Sequence, residues 1–120
     1  MNALTVVERL RTDPIALMQV LWPQYYLYDK QIMIVESVDR NYETFVHAGN
    51  KLGKDFVAGY IALRFFLTRS PVRVVTTSAD YAQLEAVLWG EIRRFIQTAK
   101  YPLDAKDGGP LLCNHLHLRK

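Results

Sequence analysis

From Asp55 to Leu67 the chain reads Asp-Phe-Val-Ala-Gly-Tyr-Ile-Ala-Leu-Arg-Phe-Phe-Leu, a helix-length run that is apolar almost all round. A helix without a polar face has to be enclosed by other elements, so this run belongs at the centre of the fold. It is preceded by Ala48-Gly49-Asn50-Lys51-Leu52-Gly53-Lys54-Asp55, and before that Glu43 to His47 reads as a short strand. A strand, a glycine-bearing loop and the N-terminus of a buried helix together favour an anion, because first-turn N–H groups and the helix dipole both attract negative charge. Gly53-Lys54 match the end of the phosphate-binding pattern G-x-x-x-x-G-K-[ST], in which backbone N–H groups wrap the β-phosphate and the lysine neutralises β and γ oxygens. Ala48 stands where that pattern has its first glycine, and Asp55 where it has the hydroxyl residue.

On this reading Lys54 is the catalytic cation, and Gly49, Asn50, Lys51, Leu52 and Gly53 supply the backbone cradle. Gly53 lets the chain approach phosphate or simply ends a turn; both uses want glycine. Asp55 occupies the position of the Mg²⁺-binding hydroxyl, where a carboxylate reaches the metal directly or through water. As an acid in the first helical turn it is equally well explained by the dipole.

Around this centre the pattern alternates. Asp13-Pro14 reads as an N-cap with proline at the first helical position, opening a helix from Ile15 to Trp22 that Pro23 ends. Tyr26 to Val38 follows as further helix, and Asp39-Arg40-Asn41 is a polar turn into the first strand. After Ser70-Pro71, the β-branched run Val72-Arg73-Val74-Val75-Thr76-Thr77 predicts a central strand. Ser78 or Asp80 caps the next helix, whose apolar residues Tyr81, Leu84, Leu88, Ile92, Phe95, Ile96 and Ala99 share one face. Gly90 within it marks a close packing contact. Asp107-Gly108-Gly109-Pro110 is a turn, and Leu111 to Leu118 an edge or hairpin strand. The expected architecture is α/β: a three-layer P-loop NTPase of the RecA/helicase-like kind, with a partial parallel sheet and flanking helices. Residues 1–40 form an N-terminal helical segment, and 41–120 the first half of the ATPase domain.

The length of 120 residues allows one domain, and a net charge of +3 is too small to argue nucleic-acid binding alone. The single cysteine, Cys113, excludes an intrachain disulfide and fits a reducing compartment. No signal peptide or membrane span is read, so the cytoplasm is the expected location.

The run Ala48 to Gly59, followed by Val72 to Ser78 and then Leu88-Trp89-Gly90-Glu91-Ile92-Arg93-Arg94-Phe95, resembles the N-terminal ATPase region of the large terminase subunits of tailed bacteriophages. The resemblance spans about 70 of the 120 residues, Tyr26 to Phe95. It implies ATP and Mg²⁺ at the loop, with Tyr28 and Gln31 placed as the adenine-reading aromatic and glutamine. It implies, for the full-length protein in the host cytoplasm, a homo-oligomeric motor acting on double-stranded DNA together with the small terminase subunit and the portal. The chain departs from that family in one chemical respect: no apolar run ending in Asp-Glu follows the loop to hold Mg²⁺ and orient water, so the chain alone is expected to be inactive. The alternatives are another helicase-like P-loop ATPase, or a stand-alone interaction module with a degenerate loop. Arg93, Arg94 and Lys100 read as a solvated basic face, and Cys113, His115 and His117 as alternating residues of one strand face.

Overall fold

The computed structural model describes residues 3–46, 53–69, 71–78, 80–114 and 116–120. Helices α1 (Ala3–Thr12), α2 (Ala16–Leu21), α3 (Asp29–Arg40), α4 (Lys54–Thr68), α5 (Tyr81–Gln83) and α6 (Trp89–Thr98) carry the fold. A π-helical stretch, Leu84–Leu88, joins α5 to α6. A 3-10 turn at Ala105–Asp107 leads to a hairpin of β1 (Leu112–Asn114) and β2 (His117–Arg119).

The all-apolar helix sits where its composition demands: α4 buries Val57, Gly59, Tyr60, Leu63 and Arg64, and α1, α3 and α6 pack around it. Its closest neighbour is α6. A Cβ built on Gly59 would lie 3.1 Å from the Glu91 Cβ and 3.5 Å from the Phe95 ring, so the absence of a side chain there sets the helix separation. Trp22 fills the centre, edge-on to Phe95 at 5.0 Å and to Tyr60 at 6.1 Å.

Polar groups lock this core. The Trp22 indole N–H donates to the Phe95 carbonyl at 2.7 Å, and the Gln24 amide to that of Thr98 at 2.9 Å, satisfying carbonyls at the end of α6 that have no partner inside the helix. The Lys100 N–H returns a bond to Leu21 O. The Tyr60 hydroxyl donates to Pro14 O at 2.7 Å and accepts from the Met18 N–H at 3.2 Å. It thereby does the work of an N-cap for α2, whose own cap residue is Ile15. Asp13 caps no helix; its carboxylate accepts from the Ile15 N–H, and the helix starts at Ala16 rather than at Pro14.

The three-layer α/β expectation is overturned. Among the described residues the chain is mostly helical and its only sheet is the antiparallel hairpin, with Leu112 opposite Arg119, Cys113 opposite Leu118 and Asn114 opposite His117. Two reasons are visible. The α4 and α6 helices touch directly through Gly59, leaving no layer between them for a sheet. The two runs read as strands, Glu43 to His47 and Val72 to Thr77, form no strand and join no ladder among the described residues, which exclude His47, and they leave Phe45 90% and Val75 73% exposed where buried strands would cover them. Strand propensity without a partner does not make a sheet. The hairpin expected near Leu111 to Leu118 is present. Asp39 and Arg40 end α3 rather than forming a turn. Gly90 is not a close contact: a Cβ there would meet nothing within 4 Å.

Candidate functional site

The sequence places its chemistry at the entry to α4. Gly53 has φ +71° and ψ 38°, the left-handed conformation that glycine adopts without strain, and the helix begins at the next residue. Gly53, the cap residue, has no side chain to offer, and among the described residues no side chain is recorded as capping this end, so the N–H groups of the first turn are open to the loop or to a ligand. Lys54 is exposed and Asp55 half-buried in that turn, and neither makes an ion pair with another described residue. Gly49, Asn50, Lys51 and Leu52, with Ala48 and His47, lie outside the described residues.

Gln31 comes to this point by a different route from the one expected. It is 4% exposed, its side-chain oxygen accepts from the Tyr28 N–H at 2.9 Å, and its Nε2 would lie 2.9 Å from a Cβ on Gly53. The glutamine therefore closes the start of α3 and fixes where the Gly53 turn passes. Its oxygen is committed to backbone. Tyr28 is 65% exposed and stands edge-on to the Tyr26 ring at 5.7 Å, an open aromatic surface rather than a pocket wall.

The concavity beside Lys54 and Asp55 has a volume of about 240 Å³. Ile34, Val38, Val46, Val57 and Ile61 line most of it, so it is apolar apart from Thr44 and the two charged residues at its rim. It suits a hydrophobic group next to an anion, not a triphosphate lying inside it.

The remaining candidates are engaged elsewhere. Arg94 pairs with Glu91 and lies over the Phe56 ring at 5.9 Å, Arg93 donates to Glu85 O at 3.1 Å, and Lys100 sits over the Tyr101 ring at 5.7 Å. The hairpin separates Cys113 from His117, which are not register partners, and His115 lies outside the described residues. Burial pushes the Cys113 thiol up, away from the thiolate form that attacks or ligates. Among the described residues no three His, Cys, Asp or Glu side chains converge to hold a metal ion, and no helix is long and apolar enough to cross a membrane.

Sequence reasoning missed the buried pair made by the middle of α4. Arg64, fully buried, contacts Asp39 at 2.6 Å and donates to Arg11 O at 2.7 Å. The signal was present: one charge inside an otherwise apolar helix must find a partner. The chain matches no family model, no curated protein and no solved structure.

Proposed function

We propose that the chain binds nucleotide phosphate at the turn from Gly49 to Lys54, as the ATP-holding portion of a terminase-like large subunit. The observation that supports the reading is the Gly53 turn: a left-handed glycine, which brings no capping side chain of its own, followed at once by the N-terminus of the central helix with an exposed lysine as first helical residue. Lys54 would neutralise β and γ oxygens, and Asp55 would supply one carboxylate to Mg²⁺, an ion commonly held by one or two carboxylates plus substrate phosphates. ATP would bring the reactive phosphoanhydride. The motor, its DNA, the small subunit and the portal enter through the sequence resemblance alone, and the reading does not call on a parallel sheet. Tyr28 and Gln31 likewise enter as adenine contacts through the resemblance alone, the Gln31 oxygen already accepting the Tyr28 N–H.

The second reading is an interaction module, favoured by the apolar character of the concavity beside Lys54. A fluorescent ATP analogue separates the two. Saturable binding in Mg²⁺ that Lys54→Ala removes supports the nucleotide site. No binding at millimolar concentration, in a sample with its helical circular dichroism intact, rejects it in favour of the interaction module.

A further inference from the structure

A second cleft, of about 410 Å³, opens on the far side of the central helix. Its floor is Ala62, Leu63 and Phe66 of α4 with Trp89 and Ile92 of α6, one wall is Val72 to Thr76, and the other is Leu116 to Leu118. The first wall is rich in β-branched residues but belongs to no helix or strand, and among the described residues Val72 to Thr77 make no backbone–backbone hydrogen bond. It is held in place nonetheless: the Trp89 indole N–H donates to the Thr76 hydroxyl at 3.1 Å. The second wall includes β2, which pairs with β1 and has no ladder partner on its other edge among the described residues. The cleft is therefore a trough with an apolar floor and a more polar rim, whose walls carry backbone that has no ladder partner on this side among the described residues. Backbone N–H and C=O groups in such a setting call for partners, and an added strand supplies them.

Charge narrows the occupant. No Asp or Glu lines the cleft, whereas exposed Arg73 and His117 do, and Arg119 and Lys120 follow on the same strand end. A second copy of the chain would bring Arg73 and the same basic strand end to this rim. We propose that the trough accepts an extended strand from a different polypeptide, with β-branched side chains facing the floor and an acidic residue meeting Arg73. The proposal is independent of nucleotide binding.

The test uses the full chain and two labelled peptides, Glu-Val-Thr-Val-Thr-Val-Glu and its counterpart with lysine at both ends, followed by fluorescence anisotropy. The acidic peptide is expected to bind at least tenfold more tightly than the basic one, and Arg73→Glu is expected to reverse that order. Neighbouring strand residues point their N–H groups to opposite sides, so one of Val74→Pro and Val75→Pro should weaken binding at least tenfold while the other leaves it nearly unchanged. Both residues are exposed, and helical circular dichroism checks each variant. Equal affinity for the two peptides, indifference to both prolines, absence of binding at millimolar peptide, or self-association that Arg73→Glu does not affect would each overturn the proposal.

Discussion

The Arg64 guanidinium, fully buried, lies 2.6 Å from the Asp39 carboxylate and so joins the end of α3 to the middle of α4. A second guanidinium nitrogen donates to Arg11 O, bringing the end of α1 to the same point. The Arg64 Nε has no hydrogen-bond partner among the described residues, so part of the cost of burying the cation is left uncompensated.

Removing one partner of such a pair strands the other charge. Asp39→Ala should therefore destabilise the fold by about 3–5 kcal/mol, whereas Asp39→Ala combined with Arg64→Met should recover most of that loss. Urea midpoints of the two proteins decide it; an Asp39→Ala variant within about 0.5 kcal/mol of the parent would show that the pair is already solvated.

Tyr60 gives a pH signature. Burial, against a smaller opposing pull from Arg64, pushes its phenol up to about 12 from an ordinary value of 10.0. The folded state thus holds the proton more tightly than the unfolded state. The stabilisation is complete below pH 10 and is lost as pH climbs towards 12, to a total of about 2–3 kcal/mol. Tyr60→Phe should cost about 1–3 kcal/mol at neutral pH by orphaning Pro14 O and the Met18 N–H. It should also flatten the alkaline decline, and equal declines in parent and variant would refute the assignment.

The two helical glycines should respond in opposite senses. Gly59→Leu drives a side chain into Glu91 and Phe95 and is expected to cost at least about 1–3 kcal/mol. Gly90→Ala meets open space and should gain about 0.5–1 kcal/mol from helix propensity. Thermal melts of the pair check this, and a stabilising Gly59→Leu would mean the helices do not touch there.

Asp55 separates two roles through its metal dependence. If its carboxylate serves Mg²⁺, Asp55→Thr keeps nucleotide affinity in Mg²⁺ and raises it in chelator, because a like charge facing the triphosphate has gone. The ratio of the two affinities, measured with the fluorescent ATP analogue, should then fall. An unchanged ratio would leave Asp55 as a first-turn acid contributing up to about 1 kcal/mol to α4.

The helices were legible because each carries its own period or its own composition. The apolar run at Asp55 requires enclosure, and the stripe from Tyr81 to Ala99 requires a neighbour. The sheet was not legible, since Val72 to Thr77 has strand propensity but its ladder partner is a matter of the whole fold. The candidate site was read halfway. Gly53, Lys54 and Asp55 stand at a helix entry as the local pattern implies, whereas the engagement of Gln31 depends on α3 passing beside Gly53. The pairing of Arg64 with Asp39 crosses 25 positions, a separation that carries no local trace.

The indole of Trp22 finds its carbonyl 73 positions later, at Phe95. On a ribosome adding about 5–20 residues per second, that interval lasts about 4–15 s. Throughout it α2 has been made while the residue that receives its central ring has not. The core therefore cannot close from the N-terminus outwards as the chain emerges. Its completion waits for α6, and until then the largest apolar side chain of the nascent protein is available to chaperones, membranes or other unfinished chains.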